Sequence, residues 1–267
     1  MSKTQRIGPY KKEGQTSYAS GSFVVIELLK TKPELVEKVF IHSLYKEKER
    51  LVLLCRKAGV PVSFGDDAFR RLNEKENTYV LAEFRKYACR LKEDTPHVVL
   101  VNPSDMGNLG TIVRTLTAFC FNQLAIISPC ADIFNPKTVR ASMGALFHME
   151  FELFDAFGQY QSRFPKHALF PFMLEGMELG VRLNTLSDNT LSDSGSREAP
   201  LFSLIFGNEA SGLDQSFARI GSAVKIPQSV CVDSLNLSIA VGIGAYAFAD
   251  KYGIMKGTGK VSNRGME

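Results

Sequence analysis

The stretch Leu204–Leu213 (LIFGNEASGL) carries an apolar strand straight into a turn that holds one carboxylate, Glu209, between Gly207 and Gly212. Two further stretches make the same change from apolar strand to polar loop: Asn102–Thr115 (NPSDMGNLGTIVRT) and Val224–Ala240 (VKIPQSVCVDSLNLSIA). Open α/β sheets place ligands at the carboxyl ends of their strands, and small residues there let a ligand approach the backbone. Three such junctions on one sheet predict a composite pocket.

Outward from these stretches, strands and helices alternate. Strands are expected at His97–Asn102, Leu124–Ile127, Phe151–Phe154, Leu169–Leu174, Leu201–Phe206 and Ala223–Ile226, and helices at Met106–Ala118, Pro136–Met143 and Leu235–Tyr252. This order implies an α/β fold with a mostly parallel sheet covered on both faces. A smaller α/β module precedes it, with strands at Val39–His42, Val60–Phe64 and Tyr79–Phe84 and helices at Phe23–Lys30, Glu47–Lys57 and Asp67–Leu72. The expected organisation is a flexible basic arm over 1–18, a first domain over 19–92, a second over 96–255 and a flexible tail over 256–267. Ser187–Pro200 (SDNTLSDSGSREAP) is polar and Gly/Ser-rich and reads as a disordered loop.

Composition narrows the function classes. A hydrophobic share of 45% and a charged share of 22% belong to a soluble globular protein. No secretory segment and no run of ~20 apolar residues is present, so a cytoplasmic location without a membrane partner is expected. Five scattered cysteines and four dispersed histidines show no metal-ligand spacing, and no metal is expected. Residues 1–92 hold 19 Lys and Arg against 11 Asp and Glu, a balance of +8, whereas residues 93–267 hold 13 against 17, a balance of −4. A basic front half is the electrostatic footprint of a nucleic-acid-binding module, although Lys46–Arg50 and Glu74–Glu76 mix signs as solvated helix faces do.

The motifs suggest chemistry singly and more strongly together. Asn108 and Gly110 open a helix whose free N–H groups favour an anion or a polar ligand edge, and Arg114 follows one turn later on the same side. Taken alone, each feature has a plain explanation: a surface arginine, a strand-to-helix connection at Glu209, a cap at Asp233-Ser234 for the last helix. Capping does not account for Ser234, Asn236 and Ser238 together. GxxxxG without Lys-Ser/Thr is no NTPase phosphate loop, and no GxGxxG follows a strand.

In order and spacing, NLGTIVRT, FGNEASGL and IPQSVCVDSLNLSIA resemble the SpoU/TrmH family of RNA ribose 2′-O-methyltransferases. The resemblance covers residues 97–250 strongly and the basic module weakly, which looks like the substrate-binding domain often fused in front. Where related proteins often carry His-Gln-Gly, this chain reads Glu76-Asn77-Thr78. The resemblance implies a trefoil-knotted catalytic domain, a homodimer, S-adenosylmethionine as cofactor, and rRNA or tRNA as partner. It assigns cofactor contacts to Gly207, Ile226 and Leu235, with Leu204, Phe206 and Pro227 framing the pocket and Ser234 and Asn236 bonding the cofactor or the acceptor ribose. Arg114 would activate the hydroxyl, Glu209 would orient Arg114 or bind the ribose, and Asn108 would position the nucleotide. A base-modifying enzyme of the same superfamily and a non-catalytic RNA-binding factor remain alternatives.

Overall fold

A computed structural model describes residues 7–72, 77–186 and 200–255. The polar loop expected at 187–200 falls outside these residues except for Pro200, as do the tail at 256–267 and Glu76. In chain order the elements are β1 (Thr16–Ser20), α1 (Ser22–Thr31), β2 (Val36–Ile41), α2 (Lys48–Lys57), β3 (Val62–Phe64), α3 (Asp67–Arg71) and β4 (Val80–Arg85). There follow β5 (His97–Val101), α4 (Met106–Ala118), β6 (Gln123–Ile127), α5 (Pro136–Ala141), β7 (Glu150–Phe154) and α6 (Phe157–Arg163). The chain closes with β8 (Ala168–Glu178), α7 (Leu179–Thr185), β9 (Phe202–Phe206), β10 (Val224–Lys225) and α8 (Leu237–Lys251).

Two sheets form. One has the order β1-β4-β2-β3, with β4 antiparallel to both neighbours. The other has the order β10-β8-β9-β5-β6-β7, and all its pairs are parallel. The chain divides into two compact units, the first taking in residues 1–89, 105–114 and 131–149 and the second the remainder.

In the second unit every residue of β5, β6 and β9 is buried. Their sequences, HVVLV, QLAII and FSLIF, are the near-continuous apolar runs that a strand covered on both faces requires. At the opposite end from the polar loops, four polar side chains share this core. His97 Nδ1 lies 2.9 Å from Tyr160 Oη, Tyr160 Oη 2.6 Å from Ser203 Oγ, and His167 Nδ1 2.9 Å from Ser203 Oγ. The outer ring nitrogen of His97 lies 2.7 Å from the Lys92 carbonyl. Burial holds both imidazoles neutral, pushing His97 down to about 3 and His167 down as well.

Helix α4 buries Leu109, Ile112, Val113 and Leu116, the i, i+3, i+4, i+7 stripe of an amphipathic helix. Gly110 sits where an added Cβ would meet the Thr138 carbonyl oxygen at 2.5 Å and Ala141 Cβ at 2.6 Å, so α4 and α5 approach at backbone distance.

In the first unit, Thr16–Ser20 is a strand, so ordered structure begins inside the stretch expected to be a flexible arm. Residues before it are held too. The Tyr18 hydroxyl donates to the Gly8 carbonyl at 2.7 Å, Tyr10 donates to Asp132, and the Lys86 ammonium donates to the Lys12 carbonyl at 2.7 Å. A short polar strand such as TSYAS carries no apolar alternation, which is why it did not stand out in the sequence. Among the described residues no helix is long and apolar enough to cross a membrane.

Candidate active site

Strand β5 ends at Val101, and Asn102 turns the chain away with φ 54, a left-handed conformation that Asn tolerates better than most residues. The parallel neighbour β9 pairs Leu100 with Phe206 and ends beside it. The loops after these two strands are cross-linked. Asn208 Nδ2 donates to the Asn102 carbonyl at 2.7 Å, and the Ser104 backbone N and Oγ both donate to Glu209 Oε2, at 2.9 and 2.8 Å.

The turn after β9 closes on itself. Asn208 and Gly212 exchange backbone hydrogen bonds of 3.2 and 2.9 Å, and Gly212 has φ 67, which glycine adopts freely. Gly207 is required for a different reason: an added Cβ would come under 3.0 Å from the Gly212 carbonyl group and the Leu213 amide. The glycine spacing visible in the sequence is therefore a packing condition at one end and a dihedral condition at the other.

Past β10, the chain runs through an exposed loop, which Gln228 Nε2 braces by donating to the Asp233 carbonyl at 3.1 Å, before α8 begins. The cap of α8 is Asn236, whose Oδ1 accepts from Ser238 N at 2.8 Å and from Ser238 Oγ at 2.6 Å. This corrects the expectation of a cap at Asp233-Ser234. Asn236 stands directly before the first helical residue, where an acceptor reaches the free amide two residues on.

Between the turn after β9, the loop before α8 and the middle of β8 lies a cavity of about 470 Å³, within the size range of small-ligand sites. Of the residues expected to hold a ligand, Phe206, Gly207, Glu209, Ile226, Ser234 and Leu235 line it. Leu204, Pro227 and Asn236 do not. Leu204 is fully buried within β9, Pro227 is exposed, and Asn236 is engaged in capping. Sequence reasoning missed the wall supplied by β8, including Phe172, Met173 and Glu175. These residues lie inside β8, which outruns the strand expected at Leu169–Leu174, so a rule that looks past strand ends does not reach them. Glu175 accepts from Gln215 Nε2 at 3.0 Å. The charged side chains in the lining are Glu175, Glu209 and Asp233, and no Lys or Arg joins them among the described residues.

Asn108 and Arg114 belong to the first unit. Asp105 caps α4, accepting from Asn108 N at 2.7 Å, and its other oxygen lies 3.7 Å from the Lys137 ammonium. Asn108 is half-buried in the first turn, and Arg114 stands exposed, off the helix's buried stripe. No group of three or more His, Cys, Asp or Glu side chains suited to a metal ion occurs among the described residues.

The model of the SpoU rRNA Methylase family matches residues 95–246. The chain is 25% identical over 259 residues to the 23S rRNA (guanosine(2553)-2′-O)-methyltransferase RlmP of Bacillus subtilis, spanning 91% of this chain and 96% of that protein. It is 28% identical to the 23S rRNA (uridine(2479)-2′-O)-methyltransferase of Streptomyces viridochromogenes over 56% of this chain and 50% of the relative. Among solved structures, an rRNA methyltransferase from Sinorhizobium meliloti with bound AdoMet superposes with a TM-score of 0.66 at 25% identity, over 88% of this chain and 87% of that one. The methyltransferase AviRb from Streptomyces viridochromogenes shares the fold with a TM-score of 0.71 at 20% identity, over 91% of each chain.

Proposed function

Because the chain belongs to the SpoU rRNA methylase family, we propose that it transfers a methyl group from S-adenosylmethionine to a ribose 2′-hydroxyl of rRNA or tRNA. The observation that carries this reading is the cavity at the strand ends, walled by the Gly207–Gly212 turn and by Ser234 and Leu235. Its residues suit the cofactor. Phe206, Ile226 and Leu235 supply apolar walls for an adenosine, and Gly207, lacking a Cβ, lets the Gly207–Gly212 turn close and bring its backbone to the wall. An acidic lining favours a ligand that bears a sulfonium cation. When bound, the cofactor supplies a methyl group already activated for displacement.

The protein's own task is alignment and charge stabilisation. A ribose hydroxyl is a weak nucleophile until its proton is drawn away. A guanidinium donates hydrogen bonds and does not accept protons, so Arg114 stabilises the developing alkoxide while the hydroxyl proton passes to solvent water. Glu209 and Asn108 orient the acceptor nucleotide, and Ser234 serves the cofactor wall. Residues 19–92 supply RNA affinity through their basic excess, followed by a catalytic domain over 96–255 whose chain we read as trefoil-knotted.

The protein acts as a homodimer in the cytoplasm in this reading. Support for the dimer comes from α8, which leaves Ile239, Ile243 and Tyr246 exposed by 54, 37 and 52% at i, i+4 and i+7, an apolar stripe of the kind that marks an interface. The test is transfer of tritiated methyl to unmodified rRNA and tRNA, followed by digestion to nucleosides. A 2′-O-methylnucleoside supports the reading, a methylated base replaces it with the base-modifying alternative, and no transfer despite tight RNA binding leaves a non-catalytic factor.

A further inference from the structure

Ser104 has no place in the motif chemistry, yet it makes two short hydrogen bonds to the carboxylate of Glu209. It lies in the loop after β5, while Glu209 lies in the turn after β9, the parallel neighbour of that strand. Both Ser104 donors, backbone N at 2.9 Å and Oγ at 2.8 Å, converge on one oxygen, Oε2. Two donors from one residue fix the direction of a carboxylate as well as its distance, and hydrogen bonds to an ionised acceptor are the strong class.

The ordinary explanation for a serine before a helix is capping, but Asp105 already fills that role by accepting from Asn108 N at 2.7 Å. The turn around Glu209 offers the same oxygen only a long contact, from Asn208 Nδ2 at 3.5 Å, against 2.9 and 2.8 Å from Ser104. Its frame is Asn208, whose Oδ1 accepts from Ala210 N at 2.8 Å and Ser211 N at 3.2 Å, while its Nδ2 reaches the Asn102 carbonyl. Glu209 Oε2 is thus bonded across the two strand-end loops, at the wall of the cavity.

We propose that Ser104 is a positioning residue for methyl transfer, holding Glu209 in the single orientation in which it serves the acceptor nucleotide. This rests on the function proposed above, and specifically on a role for Glu209 in turnover rather than in cofactor affinity. The experiment compares Ser104→Ala, Ser104→Thr, Glu209→Gln and the Ser104→Ala/Glu209→Gln double variant in the full-length protein. Each is measured for kcat and KM with RNA and for S-adenosylmethionine affinity by calorimetry. Ser104→Ala should lower kcat about ten-fold, the effect of losing one hydrogen bond to a charged group, while cofactor affinity stays within about two-fold. Ser104→Thr, which keeps the hydroxyl and the amide, should recover most of the loss. The double variant should turn over no more slowly than Glu209→Gln alone, because a residue acting only through Glu209 has nothing left to position. Unchanged kcat in Ser104→Ala, no recovery with threonine, or multiplicative losses in the double variant would each overturn the proposal. A parent protein that binds the cofactor but transfers no methyl group to any RNA overturns the proposed function instead, and the role of Ser104 with it.

Discussion

Replacing Gly207 with alanine adds a single methyl group to the wall of the cavity. That methyl would lie under 3.0 Å from the Gly212 carbonyl group and the Leu213 amide, whereas ordinary contact begins near 3.4 Å. The atoms in its way are backbone, so no side-chain rotation relieves the clash. The far side of the turn has to retreat by roughly an ångström, which strains the paired hydrogen bonds between Asn208 and Gly212. Overpacking of this kind costs about 1–3 kcal/mol. Where that cost falls on the conformation that receives the cofactor, affinity drops roughly ten- to a hundred-fold. Gly212 is the control, because an alanine Cβ there meets nothing within 4 Å and only the left-handed φ of 67 is penalised. That penalty is about 1–2 kcal/mol, so Gly212→Ala should weaken binding by less than Gly207→Ala. Calorimetric titration with S-adenosylmethionine, alongside circular dichroism to establish that both variants fold, measures the difference. If Gly207→Ala binds within about three-fold of the parent protein, or if Gly212→Ala is the weaker binder, the steric account of this turn is wrong.

Three other outcomes are expected. Arg114→Ala should lower turnover by about 10²–10³ with little change in cofactor affinity, as loss of one transition-state donor does; Arg114→Lys should rescue little, because an ammonium lacks the planar fork, and loss of cofactor binding in place of turnover would make the residue structural. His97 is held near 3 in the fold against an ordinary 6.5, so the unfolded chain takes up the proton first as pH falls. Its contribution to stability is intact above about 6.5 and is lost progressively toward 3, about 1 kcal/mol of it between pH 7 and 5.5. Urea midpoints over that window should fall in the parent protein and fall less in His97→Phe, and equal slopes would remove His97 as the cause. On α8, Ile243→Asp should shift light-scattering mass from dimer to monomer without altering helix content, and an unchanged mass would place any subunit interface elsewhere.

The parts of the fold that were legible in the sequence are those where one physical demand dominates. HVVLV, QLAII and FSLIF read as buried parallel strands because both faces are covered, and α4 reads as a helix because its buried residues keep a 3.6-residue period. Thr16–Ser20 and Phe157–Arg163 were illegible because neither carries a sustained period of its own, and both take their form from neighbouring elements. At the site, the glycines of LIFGNEASGL marked the turn correctly, but sequence could not separate the one needed for closeness, Gly207, from the one needed for its dihedral, Gly212. Asn236 and Ser234 are chemically equivalent candidates to cap α8, and only the path of the exposed loop after Pro227 decides between them. The Ser104–Glu209 link was invisible because it joins residues 105 positions apart through strand adjacency.

The junction at Phe206 and Gly207 places two kinds of backbone amide side by side. Amides within β9 are locked between β5 and β8 and exchange their protons with solvent only when the whole sheet opens. Two residues on, the Asn208 and Gly212 amides are held by a single isolated bridge at the surface, which opens without disturbing the sheet. Occupancy of the cavity should therefore register as slowed deuterium uptake across residues 208–212 while protection in β9 stays constant. The turn works as a local reporter of ligand, insulated from the stability of the molecule that carries it.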